Sequence, residues 1–338
     1  MSMGKYTKSV RQPRRFQCSA KKSTKKPDPT FDSELSESSS GLGPQIKGRI
    51  VAQYGTNLDI EDEQGNRHHC VSRRNLPKLV CGDYILWQTD NRNNNVITQL
   101  LPRTSLLSRP GINKQLRPIA SNIDQILIVI SISPMYDEDL INRYLVASRL
   151  THITAAIIVN KVDLLDEKSA EELTQTLKPY RDIGYEIVYA STKERSGLNS
   201  LTNKLRGKTS IFVGQSGVGK SSLINTLIPN LDIRVGELSE ATGLGKHTTT
   251  VSILYRLDSD GYLIDSPGIR EFGLGHLPAK EIATGFVEFA ELARQCKFND
   301  CTHFNEPECA VIDAVQKGEV YLRRYESYKR IVETLGKR

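Results

Sequence analysis

No stretch of the 338-residue chain approaches the roughly 18–20 consecutive apolar residues that a membrane-spanning helix needs. The N-terminus has no apolar core of the signal-peptide kind either. A soluble, cytoplasmic protein that does not engage a membrane is expected. Cysteine is scarce, six in all, and half of it falls in one short segment. Cys296, Cys301 and Cys309 crowd around His303, whereas Cys18, Cys70 and Cys81 are scattered. In a cytosolic chain that clustering suggests a metal site rather than disulfides. Acidic residues are missing altogether before Pro27, where nine Lys and Arg stand. The rest of the chain holds 37 basic and 39 acidic residues, so the formal charge of +7 belongs to an arm and not to the folded body. No dimerisation signal stands out, and a monomer is expected.

Composition and periodicity divide the chain into four. Residues 1–44 are rich in Lys, Arg, Ser and Pro and end in Ser38-Ser39-Ser40-Gly41. They read as a disordered basic arm, either a solubilising tail or an arm that neutralises nucleic-acid phosphates. Residues 45–103 read as short strands at Ile46–Tyr54, Asn57–Glu61, His68–Val71, Tyr84–Trp87 and Val96–Leu100, with a turn at Gly65-Asn66. A five-stranded OB-type β-barrel fits this spacing, and an SH3-like barrel fits it too. Within residues 104–275 apolar runs at Gln125–Ser131, Ala155–Val159, Glu186–Tyr189, Ser210–Val213 and Tyr262–Ile264 alternate with helical periodicity at Leu140–Leu150, Glu167–Tyr180, Leu198–Leu205 and Ser221–Leu227. That alternation predicts an α/β domain whose parallel sheet is covered on both faces. Residues 276–338 read as mainly helical on both sides of the Cys/His cluster.

Gly214-Gln215-Ser216-Gly217-Val218-Gly219-Lys220-Ser221, followed by Ser222, matches the phosphate-loop pattern G-x-x-x-x-G-K-S/T between a strand and a helix. Glycines let backbone amides wrap phosphate oxygens, and the helix N-terminus favours anions. Lys220 is placed for the β- and γ-phosphates and Ser221 for Mg²⁺. Asn160-Lys161-Val162-Asp163 ends a buried strand, where ligands bind in open parallel sheets. A carboxylate such as Asp163 accepts from the N1–H and 2-amino group of guanine, a donor pair adenine lacks. An ATP-dependent kinase with a phosphate loop would require this motif to be accidental. Ala190 and Ser191 end the next strand and fit a weakly defined base-contact loop, with a plain surface turn as the alternative. Asp265-Ser266-Pro267-Gly268 matches D-x-x-G, with Asp265 for Mg²⁺ through water and Gly268 for the γ-phosphate. Among Thr248-Thr249-Thr250, Thr249 is favoured as the threonine that completes the Mg²⁺ shell, with Thr248 as the alternative. The order of these motifs is circularly permuted, because the guanine-reading motif precedes the phosphate loop. Many GTPases orient water with a glutamine just after D-x-x-G. That glutamine is absent, and Ile269 in its place cannot hydrogen-bond water.

With Arg117 to Gln125, Asn160 to Asp163, Gly214 to Ser222, Gly243 to Thr250 and Asp265 to Gly273, the chain resembles the circularly permuted ribosome small-subunit-dependent GTPase A family over essentially all of residues 45–338. The resemblance implies a GTP hydrolase that binds the small ribosomal subunit and its rRNA during late subunit maturation, slow alone and stimulated by the subunit. It implies that His247 serves hydrolysis in place of the missing glutamine, against the plainer reading of a surface loop residue. Cys296-x4-Cys301-x-His303-x5-Cys309 suits a closed structural Zn²⁺ site by donor type, and the four positions match the family's zinc ligands. Arg323, Arg324, Lys329 and Arg330 on the last helix read as a solvated face or as contacts to rRNA phosphates. His68, His69, His152 and His276 read as structural or surface residues. The alternative function is a GTP-regulated RNA-binding switch or translation regulator in which turnover is incidental.

Overall fold

The structure, a computed structural model, describes residues 43–110, 116–228, 231, 252–266, 274 and 277–336. In the first strands apolar side chains recur every second residue, the period that turns one face of a strand inward. β1 (Ile46–Tyr54), β2 (Asn57–Asp62), β3 (Arg67–Ser72), β4 (Tyr84–Thr89) and β5 (Asn95–Leu100) direct Ile50, Leu58, Ile60, Cys70, Ile85, Trp87 and Ile97 into one core. β3 pairs in parallel with β5, β5 with β4, and β4 returns onto β1. The five strands therefore close into a barrel of OB type, and the SH3-like alternative falls away. Gly48 lies where the barrel wall is tight: a Cβ there would lie 3.2 Å from the Ile60 side chain and 3.3 Å from the Glu61 carbonyl.

Where the sequence reading assigns no element, β6 (Leu106–Pro110) and β7 (Leu116–Ser121) form an antiparallel pair. Two prolines and a register shift between Leu107 and Ser108 break the alternation that would announce it.

The α/β part follows the expected alternation: β8 (Gln125–Ile130), α1 (Glu138–Leu150), β9 (Thr154–Val159), α2 (Glu167–Asp182), β10 (Glu186–Tyr189), α3 (Leu198–Leu205), β11 (Thr209–Val213) and α4 (Lys220–Leu227). After the undescribed stretch come β12 (Ile253–Arg256), which the sequence reading does not assign, and β13 (Tyr262–Asp265). Every residue of β8 is buried. Its Ile126, Ile128 and Ile130 join Ile211 and Val213 beneath α1 and α2 on one face, while Leu127, Val129 and Phe212 pack against α3 and α4 on the other. Among the described residues the sheet runs β10-β9-β8-β11-β13-β12, then continues through β1 into the barrel. The joint is made by β12 against β1, antiparallel with Ala52 opposite Ile253. A bulge in β1 between Ile50 and Ala52 makes that possible. Ile50 enters the barrel core and Val51 the core of the α/β body.

The C-terminal residues form α5 (Ala279–Thr284), α6 (Ala310–Gln316) and α7 (Leu322–Gly336), with short 3₁₀ turns at Val287–Phe289 and Ala293–Gln295. Phe286, Phe289, Tyr328 and Ile331 from this region share one continuous core with Ile141, Tyr144 and Leu145 of α1.

Candidate functional site

β11 is an interior strand of the parallel run, flanked by β8 and β13. The loop after it, Gly214–Gly219, turns directly into α4, whose first helical residue is Lys220, one earlier than the pattern suggests. Two glycines are demanded by crowding. A Cβ on Gly214 (φ 140°) would lie 2.2 Å from the Val129 carbonyl oxygen, and one on Gly219 (φ 93°) 2.3 Å from Asn160 Nδ2. Lys220 Nζ donates to the carbonyls of Gly214 at 2.8 Å and Gln215 at 2.5 Å, folding its charge across the loop.

The Asn160–Asp163 motif lies beside this loop, at the end of β9. Asn160 is fully buried, and its Nδ2 donates to the Val218 carbonyl at 2.9 Å. Lys161 stands in the left-handed region (φ 60°, ψ 37°), which aims its Nζ at the carbonyls of Gly217 (2.7 Å) and Ser133 (2.6 Å). Val162, Asp163 and Leu164 form one turn of 3₁₀ helix. Asp163 Oδ1 accepts from Ser191 Oγ at 2.5 Å. Ser191 and Ala190 are both fully buried, and the Ala190 carbonyl accepts from Val162 N at 3.3 Å. The Ala190–Ser191 turn is thus tied to the motif by side chain and backbone alike, which a plain surface turn would not be.

Asp265, at the end of β13, is 8% exposed. Burial pushes its carboxyl above the ordinary range, and the Lys220 ammonium pulls it back down. Ser266 beside it shares a 2.7 Å hydrogen bond with Ser252. Ser221 and Ser222 occupy the first turn of α4. His247, Thr248, Thr249, Gly268 and Ile269 lie outside the described residues, and so does His276.

One contributor was not legible. Ser133 and Pro134, in the loop after β8, cap the far side: the Ser133 carbonyl receives Lys161, and a Cβ on Gly217 would lie 3.4 Å from Pro134 Cδ. Only an unremarkable Ser-Pro step marks them in the sequence.

Cys296, Cys301, His303 and Cys309 converge, their ligand atoms all within 4.8 Å of one another. Cys296 Sγ is 3.9 Å from Cys309 Sγ and 3.6 Å from His303 Nδ1, which is 3.4 Å from Cys309 Sγ. A tetrahedral site with metal–sulfur bonds near 2.3 Å and metal–nitrogen bonds near 2.0 Å has edges of about 3.5–3.8 Å. Burial pushes the Cys301 thiol up to about 12 and the Cys309 thiol upward, and holds the His303 imidazole in its neutral form by lowering it. A bound metal cation reverses the first effect and uses the second. The loop is braced by residues that the sequence reading missed. Glu306 accepts from the amides of Thr302, Phe304 and Asn305. Tyr325 and Tyr328 donate to the carbonyls of His303 (2.9 Å) and Thr302 (2.5 Å). The four-residue cluster can hold a metal ion.

Arg323 and Arg330 on α7 form ion pairs with Glu138 and Asp139 of α1. Arg324 is buried against Glu288, with Nε–Oε1 at 2.7 Å. Those three are therefore tied to the body, and Arg324 is no part of a solvated face.

No helix among the described residues is long and apolar enough to cross a membrane. The sequence model of the RsgA GTPase family matches residues 100–275. The small ribosomal subunit biogenesis GTPase RsgA of Chromohalobacter salexigens is 48% identical over 300 residues, 88% of this chain and 88% of that one. Its counterpart from Haemophilus influenzae is 46% identical over 299 residues, 87% of this chain and 86% of that one. Among solved structures, YjeQ from Thermotoga maritima superposes with a TM-score of 0.73 at 31% identity, covering 87% of this chain and all of that one. YloQ, described as a circularly permuted GTPase, gives 0.69 at 28% identity over 87% of this chain and 96% of that one. With an Asn-Lys-Val-Asp motif that precedes the phosphate loop in the chain yet lies beside it in space, and with these relatives along most of its length, the chain belongs to the RsgA GTPase family.

Proposed function

We propose that this GTPase acts in late maturation of the small ribosomal subunit, binding the subunit through its rRNA and hydrolysing GTP to GDP and phosphate to time its own release. The observation that carries the nucleotide chemistry is the joint bracing of Asn160 and Lys161 against the phosphate loop. It sets Asp163 for the guanine edge at a fixed distance from the amides of Gly214–Gly219. In this reading Lys220 lies against the β- and γ-phosphates, Ser221 and Thr249 coordinate Mg²⁺, Asp265 holds it through water, and Gly268 meets the γ-phosphate. Bound Mg²⁺ neutralises charge developing on the phosphates. His247 orients the attacking water, a task Ile269 cannot perform. Cys296, Cys301, His303 and Cys309 would hold Zn²⁺ as a structural ion. We divide the chain into a basic arm (1–44), a barrel (45–103), a GTPase domain (104–275) and a zinc-binding helical domain (276–338), working as a cytoplasmic monomer.

GTP hydrolysis by the purified protein, alone and with added small or large subunits, tests the proposal. Strong stimulation by small subunits only is expected, and equal slow rates in every mixture would refute it. Ile269 favours a second reading, a GTP-regulated RNA-binding switch. If a GTP-binding but hydrolysis-dead His247→Ala protein performs the whole biological task, that second reading stands.

A further inference from the structure

We propose that the groove between the end of α1 and the metal-binding segment seats one unstacked nucleotide of single-stranded RNA, its base on Phe298 and its phosphate among basic side chains. The inference rests on the reading of this chain as an RNA-engaging ribosome factor and specifies one place where contact is made.

The groove has a volume of about 470 Å³, inside the range of about 300–1,000 Å³ that holds small ligands. Arg149 and His152 reach it from the end of α1, Lys280 from α5 and Arg294 from the turn before Cys296. Among the described residues no Asp or Glu lines it. Phe289 forms a buried floor, while Phe298 is 42% exposed.

The basic groups are available to an anion. The carbonyls at the end of α1 are already satisfied: Ala147 by Thr151 N at 3.0 Å and by Thr151 Oγ1 at 2.8 Å, Ser148 by Ile153 N at 3.0 Å, and Arg149 by His152 N at 3.2 Å. The negative helix end is thereby muted next to Arg149. Lys280 spends one N–H on the Asn299 carbonyl at 2.7 Å and keeps two more. Arg294 pairs with Glu291 at 3.0 Å, but both are about three-quarters exposed, and such a pair is easily exchanged for a phosphate.

The aromatic ring selects among anions. Phe298 follows Cys296 by two residues, so the metal segment that carries it is braced at its ligands. An exposed ring beside a basic rim is the pairing by which proteins hold single-stranded nucleic acid, with stacking on the ring and phosphate on the charges. An acidic protein tail would use the rim and have no use for the ring.

The test uses the full-length, metal-loaded protein and fluorescein-labelled hexauridylate, followed by anisotropy over a range of salt concentrations. Phe298→Ala should weaken binding about tenfold, the scale of one lost base–aromatic stack, while Phe298→Tyr keeps it. Phe298→Leu, which retains apolar bulk without a ring, should behave like the alanine variant, and metal content measured on each variant separates a lost stack from a lost fold. Arg149→Ala and Lys280→Ala should each reduce the salt slope by about one or slightly less. Equal affinity across wild type and all variants overturns the proposal, as does failure of the wild type to bind. Polyglutamate that competes fully, with Phe298→Ala unaffected, would mark an acidic protein partner and overturn it too. GTP-dependent association with small subunits is read separately on the wild type, so its absence counts against the proposed function and not against the groove.

Discussion

Asn160 Nδ2 donates to the Val218 carbonyl across 58 residues of chain, fastening the Asn160–Asp163 motif to the phosphate loop. Both partners are buried. Asn160→Ala removes the donor and leaves the carbonyl unsatisfied, at a cost of about 1–3 kcal/mol. Because the loop loses its brace, GTP and GDP affinities should fall together, by about tenfold or more for a loss of that size. Titration of a fluorescent GDP analogue and thermal unfolding check this. Wild-type affinity for both nucleotides would show that the loop holds its shape without the bond.

Asp163 accepts from Ser191 and, in the proposed role, from two donors of guanine. Asp163→Asn exchanges one accepting oxygen for an NH₂ donor. Guanine affinity should drop by about 10–100-fold, on the scale of 1.5–3 kcal/mol for a charged hydrogen bond. Xanthine, which carries a carbonyl where guanine has its amino group, should gain. Competition between GTP and XTP in hydrolysis assays reads both effects. If the variant discriminates as wild type does, Asp163 does not read the base.

Asp265 is held above the ordinary carboxylate range mainly by burial. Its contribution to stability is therefore full below the ordinary carboxylate pKa and is lost as pH rises through the raised folded value. Asp265→Asn should unfold at neutral pH no earlier than wild type, while Mg²⁺-dependent hydrolysis disappears. Mg²⁺ binding by the wild type should weaken as pH falls through that raised value, since the carboxylate is the form that holds the ion. Thermal melts and Mg²⁺ titrations between pH 5 and 8 measure both. A marked loss of stability in Asp265→Asn at pH 7 would contradict the burial argument.

Much of this was legible because the chemistry sits in contiguous motifs at the ends of strongly apolar strands. Gly214–Ser221 and Asn160–Asp163 each announce themselves within a few residues, and β8, β9 and β11 are uniform enough to predict a sheet buried on both faces. What stayed hidden is long-range. Nothing near Ser133 predicts that its carbonyl receives Lys161. Arg324 looks like one cation among four on α7, yet it lies buried on Glu288 with its guanidinium 4.7 Å from the Phe286 ring centroid. The β6–β7 pair was obscured by prolines and a register shift.

The metal cluster lies within the same continuous core as α1. Chelation should therefore lower the melting temperature of the entire body, and not merely loosen residues 296–309. Metal removed by a high-affinity chelator should be released together with loss of far-ultraviolet helix signal, and Cys301→Ser should reproduce the shift without chelator. A melt unchanged by stripping the metal would show that Glu306, Tyr325 and Tyr328 suffice to hold the loop.

Arg324 is 2% exposed and Glu288 10% exposed on its side chain, and two hydrogen bonds at 2.7 and 3.1 Å join them. Arg324 also donates to Asn142 of α1, which in turn donates to Ser327 of α7 at 2.6 Å. Glu288, in the turn Val287–Phe289, meets the buried charge of Arg324, and Asn142 links α7 to α1. Removing one partner strands the other, so Arg324→Ala should cost about 3–5 kcal/mol. Replacing the pair together by Arg324→Met and Glu288→Leu should cost much less, because no buried charge then lacks a partner. Denaturant unfolding of the two variants distinguishes the cases. If the single and double replacements destabilise equally, what matters at this joint is the shape of the side chains and not their charge.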